Sequence, residues 1–392
     1  MIRYNTNNLM SLCVAVGILA NIYIVTRLTI GFKILEDFPQ IQEFPSRCVI
    51  DEDYFLSFVE SRRVTELKEK VFLKNNNDKT VQLKLFAFQS AGLGNKLFEI
   101  ISLLGIANSL QRRPVIDATI PSNIRSLHKS IQPLFPKLVE QFDLKMIPAS
   151  SVSSHQMNWV KCCIFDDPKK MLNRSEQHLM LNGHYFQSFK YFHHLRSEIR
   201  EWLAPSKMAK LAAETVLTSE LKEDLIICTH IRRGDFQTDG VHQPSDPNFT
   251  RAATDFLVKH YQKWHYRTTV VVFGNDVNFS KAVFEDRVSN SSVIPNRTTP
   301  PLNFPIPENS PKYSVILPQN STPENDLAFS RQAPSSTFGW WLSYLAKRSA
   351  VVYYRDIRET KDKVINDMNP NDFYPPEWIK LGTRPNGDIF KF

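Results

Sequence analysis

The chain has 392 residues, is 42% hydrophobic and 22% charged, and carries a formal net charge of +8. The length exceeds one ordinary domain of ~150 residues, and the composition excludes a disordered or collagen-like chain. Lysines and arginines are scattered, with no polybasic tail and no run of five like charges, so the positive balance suits anionic small ligands and argues against a nucleic-acid surface.

Residues 1–8 read as a cytosolic tail. Leu9 to Thr26 carry no charge. At ~1.5 Å rise per residue this segment spans roughly 27 Å, enough for a thin bilayer core. It reads as an uncleaved transmembrane signal anchor. A cleavable signal peptide is the competing reading, but its apolar region is shorter and no clean small-x-small site follows here. Arg3 on one side and Arg27 and Lys33 on the other leave the orientation undecided by charge. Sequons at Asn173, Asn248, Asn278, Asn290, Asn296 and Asn320 tilt towards a glycosylated, lumenal C-terminal part. A glycan on Asn278 sits too close to Asp276 for an open cleft, so the other five are the expected acceptors. Residues 27–78 read as a stem.

Five cysteines are present. Cys13 lies in the anchor, and Cys228, inside an apolar run, reads as a buried thiol. A bridge from Cys48 to Cys162 or Cys163 suits a lumenal setting, although sequence does not set pairing. No spacing suggests zinc.

Residues 81–88 read as a strand, followed by the glycine turn Gly92-Leu93-Gly94-Asn95 and a helix with Leu97, Ile100, Ile101, Leu104, Ile106 and Ala107 on its apolar face. The next strand is 113–118. This β-α-β start predicts a parallel sheet. Residues 119–189 are mixed, and 191–202 and 207–221 read as helices. Pro205-Ser206 marks the boundary between a lobe at 79–205 and one at 206–392. The second lobe has strands at 225–231, 268–273, 314–317 and 349–354, with helices at 251–264, 324–331 and 338–347. Residues 285–311 form a long Pro/Asn/Ser-rich loop. The fold class is α/β, with two Rossmann-like lobes and a ligand cleft between them.

The most informative motif is His230-Ile231-Arg232-Arg233-Gly234-Asp235, at the end of the apolar strand. Ligands bind at that edge of open α/β sheets, and guanidinium forks match phosphate oxygens. A surface salt bridge, or a chance Arg-Gly-Asp adhesion tripeptide, is the plainer alternative. The glycine turn is neither a dinucleotide fingerprint nor a P-loop. Val272-Phe273-Gly274-Asn275-Asp276 ends another strand, where Asp276 either accepts from ribose hydroxyls or closes an Asx turn. Asp326 opens one helix, and Ser336 or Thr337 opens the next as an anion-binding N-cap. Trp340 and Trp341 read as core.

These segments, with Gly183-His184-Tyr185-Phe186-Gln187-Ser188-Phe189, run in order over about 80–350 and resemble the α-1,2-fucosyltransferase family. The resemblance implies a metal-free, type II Golgi membrane enzyme of the two-lobed GT-B fold. It implies inverting transfer of L-fucose from GDP-fucose to galactose-terminated glycans. It assigns the diphosphate to Arg232, guanine to His230 and Asp326, phosphate oxygens to Ser336 and Thr337, and the nucleoside region to Asp276, with Arg233 beside them. It places Gly92, Gly94 and Asn95 on the acceptor side. Asp235 is either the base or the carboxylate that orients the arginines, and the second is favoured. No cofactor is expected; Asp51-Glu52-Asp53 lies in the stem. Ala91 and Lys96 depart from the family pattern and bear on the acceptor. Two rival readings remain: another nucleotide-sugar glycosyltransferase of this fold, and a non-catalytic lumenal glycan-binding protein.

Overall fold

A computed structural model describes residues 78–392, except 208–209, 212–213, 215–220, 222–223, 264–266, 286–312, 319–336 and 347–349. The tail, anchor and stem expectations, the helix at 324–331, nearly all of the 285–311 loop and most of the helix at 207–221 lie outside these residues. So do Cys48, Asp326, Ser336, Asn290, Asn296 and Asn320. All described residues fall within one compact unit, Glu69–Phe392. Among them no helix is long and apolar enough to cross a membrane.

The architecture is mixed α/β with parallel sheets. The first sheet holds β1 (Thr80–Leu83), β2 (Arg113–Asp117), β3 (Asp143–Lys145), β4 (Val152–Gln156) and β5 (His178–Asn182) in the order β3-β2-β1-β5-β4, every pair parallel. The chain turns back at β1, with β2 and β3 on one side and β5 and β4 on the other. Crevices for ligands form at such reversals, outside the carboxyl ends of the strands.

The strand read at 81–88 stops at Leu83. Lys84 makes the last ladder bond, its N–H donating to Leu181 O at 3.2 Å. Phe86 and Ala87 then donate their N–H groups to the buried Glu99 carboxylate at 2.9 and 3.0 Å. That capture starts a short helix, α1 (Ala87–Ser90), where alternation predicts more strand. Helix α2 (Leu93–Leu110) follows and closes on Gln111 in the left-handed conformation. It is buried all round rather than on one face: Phe98, Ser102 and Leu103 are as hidden as Leu97 and Ile101. The sheet covers one side. The two 3-10 turns Phe189–Tyr191 and His193–Leu195 approach from another. Helix α3 (Arg196–Trp202) ends this part of the chain.

The second sheet is β6 (Leu225–Ile231), β7 (Thr268–Gly274) and β8 (Ser314–Ile316), parallel in the order β6-β7-β8. The central β7 is a β-branched run, buried from Thr268 to Phe273, as a strand covered on both faces requires. Helix α4 (Pro247–Tyr261) begins four residues before the predicted 251. Asp246 caps it by accepting from Phe249 N at 2.6 Å, and Pro247 sits in the first turn, where its missing N–H costs nothing. Helix α5 (Val277–Val283) follows β7, and α6 (Thr337–Leu345) packs against α2.

Trp340 and Trp341 are core, as read, and the core they join is that of the first sheet. Their rings lie 4.6 and 5.1 Å from Phe98. The strand read at 349–354 shortens to β9 (Tyr353–Arg355). It pairs with β10 (Ile379–Thr383), which forms a hairpin with β11 (Ile389–Lys391).

Cys228 is a free, buried thiol, as expected. Cys162 bonds to its neighbour Cys163, so the bridge to Cys48 is not the pairing formed. The adjacent sulfurs are buried together against Gln187, whose Oε1 lies 3.2 Å from Cys163 Sγ.

Candidate active site at the carboxyl ends of the strands

The arginine motif leaves β6 beside the end of β7. The register pairs His230 with Phe273 and Ile231 with Gly274. Gly274 has φ +156°, and a Cβ there would lie 2.2 Å from Ile231 O, so the two strand ends close only around glycine. The next residue, Asn275, accepts Arg233 N–H at 2.8 Å through Oδ1. Arg232 N–H donates to Ser245 Oγ, and Ser245 N–H returns a bond to Arg232 O, both at 2.8 Å. The loop carrying the arginines is therefore clamped from β7 and from the segment ahead of α4.

The two guanidinium groups have different surroundings. Arg233 lies over the Phe279 ring at 4.0 Å and donates to Gln237 Oε1 at 2.6 Å and Ser245 O at 3.2 Å. It also pairs with Asp276 at 3.4 Å, and its side chain is 19% exposed. Arg232 lies over Phe236 at 4.5 Å and meets the Asp235 carboxylate at 2.6 Å, with the Arg232 side chain 39% exposed and that of Asp235 64%. Arg233 is a fastener of the loop. Arg232 is a presented cation with one solvent-facing carboxylate that an anion can displace.

Asp276 caps α5, accepting Phe279 N–H at 2.9 Å, while its other oxygen faces Arg233. Both carboxylate oxygens are therefore engaged within the protein. His230 has its pKa pushed down to about 3 by burial and then by the charge of Arg232. Its ring is therefore neutral near pH 7, with one nitrogen able to donate and the other to accept. Thr337 opens α6, and its partners Asp326 and Ser336 lie outside the described residues. Asn173, Asn248 and Asn278 are all exposed.

The predicted acceptor-side residues gather at the reversal point of the first sheet. Gly92 caps α2, and a Cβ added there meets nothing within 4 Å. Gly94 O accepts the Trp341 indole N–H at 3.0 Å. Asn95 Oδ1 accepts Gln187 Nε2–H at 2.9 Å, which ties the glycine turn to the segment after β5. Lys96 reaches Ser130 Oγ at 3.2 Å, and partial burial lowers its pKa.

Sequence reasoning missed Ser245, Asn275, Phe236, Phe279 and Glu99. Asn275 lies in the Val272–Asp276 motif, where its carboxylate neighbour Asp276 is the more conspicuous ligand type. Ser245 sits in a loop without pattern. Glu99 is an acid inside an apolar helix, which reads by default as a solvated point. Burial pushes its pKa up to about 8 against the pull of its two backbone N–H bonds.

That shift sets a pH dependence. A carboxyl whose folded pKa exceeds its unfolded value of 4.5 favours folding most at low pH, and the contribution is lost as pH rises towards about 8. Glu99→Gln removes the titration. Thermal unfolding from pH 5 to 8 is expected to show the wild type losing stability relative to the variant. Parallel profiles overturn this account.

The family model for glycosyl transferase family 11 matches residues 169–293, which span β5, β6, the arginine motif, β7 and α5. A Caenorhabditis elegans protein named galactoside 2-alpha-L-fucosyltransferase is 55% identical over the whole length of both chains. A second protein of that name and organism is 31% identical over 76% of this chain and 79% of its own. A putative galactoside 2-alpha-L-fucosyltransferase from the same organism is 30% identical over 74% and 77%. End-to-end identity of this degree shows that the chain belongs to the α-1,2-fucosyltransferase family.

Proposed function

We propose that this chain transfers L-fucose from GDP-fucose to the 2-hydroxyl of a galactoside, inverting the anomeric centre from β to α. The observation that carries the reading is the presented Arg232 at the carboxyl end of β6, within a chain 55% identical end to end to a protein named for this activity. The acceptor oxygen attacks the fucose anomeric carbon as the carbon–oxygen bond to the β-phosphate breaks. The electron pair leaves with GDP, and the hydroxyl proton passes to a base. Arg232 meets the charge growing on the diphosphate, usually the largest contribution to such catalysis. Arginine supplies the cation, so the reaction runs without metal, and a chelator is expected to leave the rate unchanged. His230, kept neutral at the strand end beside Arg232, faces the guanine, while Asp326, Ser336 and Thr337 complete the donor site.

On this reading the described part forms the two lobes of a GT-B enzyme. The sheet before Pro205 serves the acceptor and the sheet after it the donor, and α6 returns to the acceptor side. The chain is a Golgi type II membrane protein, held by 9–26, with the catalytic part lumenal and glycosylated. A screen of nucleotide sugars against a glycan panel, using the full-length protein with product linkage determined, tests the activity. Preference for another sugar nucleotide makes the chain a different glycosyltransferase, and absence of any GDP affinity makes it a lectin.

Asp235→Asn separates the two roles open to that carboxylate. As the group orienting Arg232, its loss is expected to lower kcat about tenfold and keep the acid limb of the pH–rate profile. A base contributes ~10²–10⁴ in rate, so a kcat loss of that size with the acid limb gone reverses the assignment.

A further inference from the structure

Three neighbouring strands of the first sheet end in aromatic residues on one edge. Phe86 follows β1, His184 and Tyr185 follow β5, and Trp159 follows β4. The register sets these ends level, with Leu83 opposite Leu181 and Gln156 opposite Asn182. Phe86 meets His184 edge-on at 5.6 Å, and His184 stacks on Tyr185 at 4.1 Å. All three rings are half-buried, and Trp159 is 66% exposed.

The backbone beneath this row is strained. Tyr185 and Phe186 have φ of +55° and +49°, and Asn158 and Trp159 have +45° and +50°. Consecutive non-glycine residues in the left-handed region each cost roughly 1–3 kcal/mol and persist where the surroundings over-determine them. Here the two strained turns clasp each other: Asn158 Nδ2–H donates to His184 O, and His184 N–H donates to Asn158 Oδ1, both at 3.1 Å. Glu99 fixes the third member by binding the Phe86 N–H. Tyr185 rests one side on the first-sheet core and leaves the rest of its ring half-exposed, while the fully buried aromatic bulk of that core comes from Phe98, Phe186 and Phe192.

We propose that Phe86, His184 and Tyr185 form a sugar-stacking platform for the terminal galactoside of the acceptor, and that Trp159 extends it to the next saccharide unit. Pyranose rings present an apolar C–H face, and partly exposed aromatic faces receive it while their polar edges stay wet. His184 and Tyr185 lead directly into Gln187, which binds Asn95 at the start of α2, and the row follows the strands on both sides of the sheet reversal, where a ligand crevice forms. This rests on the galactoside reading above.

The test uses two readouts on the full-length protein. Tyr185→Asn keeps the left-handed backbone, which Asn tolerates, and removes the ring. Its acceptor KM is expected to rise at least tenfold, with GDP-fucose KM unchanged. Trp159→Ala is expected to raise KM for a galactose-terminated trisaccharide several-fold and leave that of methyl β-galactoside alone. Saturation-transfer NMR of methyl β-galactoside, without donor, reads the platform independently of turnover. Binding lost in Tyr185→Asn supports the proposal even where no fucosyl transfer occurs, which would defeat only the activity. Unchanged acceptor KM and unchanged saturation transfer in both Tyr185→Asn and Phe86→Ala overturn it.

Discussion

Arg232→Lys is expected to lower kcat/KM by about two to three decades, comparable to removing a transition-state hydrogen-bond donor. The positive charge remains, so a uniform electrostatic attraction survives. What disappears is the planar fork that meets two oxygens of a diphosphate at once, and the flat face that rests on Phe236 at 4.5 Å. The fall should lie in kcat, because charge on the leaving oxygen grows only as the bond breaks. The thermal midpoint should hold, since Arg232 has one ion-pair partner, the exposed Asp235, among the described residues. Arg233→Lys is the matched control. It loses bonds to Gln237, Ser245 and Asp276, and is expected to loosen the loop and lower the thermal midpoint. A rate within threefold of wild type in Arg232→Lys removes Arg232 from the chemistry.

Gly105→Ala is expected to destabilise the fold by about 3 kcal/mol or more. Helix propensity points the other way, because alanine in a helix interior is better than glycine by ~1 kcal/mol. The added Cβ, however, would lie 2.1 Å from Tyr191 O and 2.8 Å from Phe192 Cα. Both are backbone atoms and cannot rotate away. For α2 to retreat, Phe98 must pull back from Phe192, Trp340 and Trp341, which surround it at 4.6 to 6.1 Å. Overpacking of a tight core costs ~1–3 kcal/mol and more where backbone is the obstacle, so sterics outweigh propensity. A thermal midpoint equal to or above wild type would show that the helix is not held as closely as its geometry states.

Local pattern was enough to find the elements that are long and uniformly apolar. Strand β6 matches its predicted limits, 225–231, because a bounded β-branched run has one use in a parallel sheet. Helix α2, the strand-end position of the arginine motif and the core role of Trp340 and Trp341 were readable for the same reason. Strands β3 and β4 were not. Asp143–Lys145 is three residues long, and Val152–Gln156 is a polar strand at the sheet edge, so neither carries a burial pattern.

The separation of the two arginines arose from contacts distant in sequence. Arg232 and Arg233 are chemically equal neighbours, and Asn275, Asp276, Phe279 and Ser245, brought up by β7, α5 and the loop before α4, join Gln237 in making one a fastener and leaving the other presented. The raised pKa of Glu99 has the same origin, since desolvation depends on what packs around a group rather than on its neighbours in the chain. Left-handed Tyr185 and Phe186 carry no local signature, because non-glycine residues adopt that conformation only when surrounding bonds impose it. Motif order was sufficient to point to the enzyme family and to an arginine pair at a strand end. Which arginine is presented to solvent, and where aromatic rings gather at the other sheet, followed from packing.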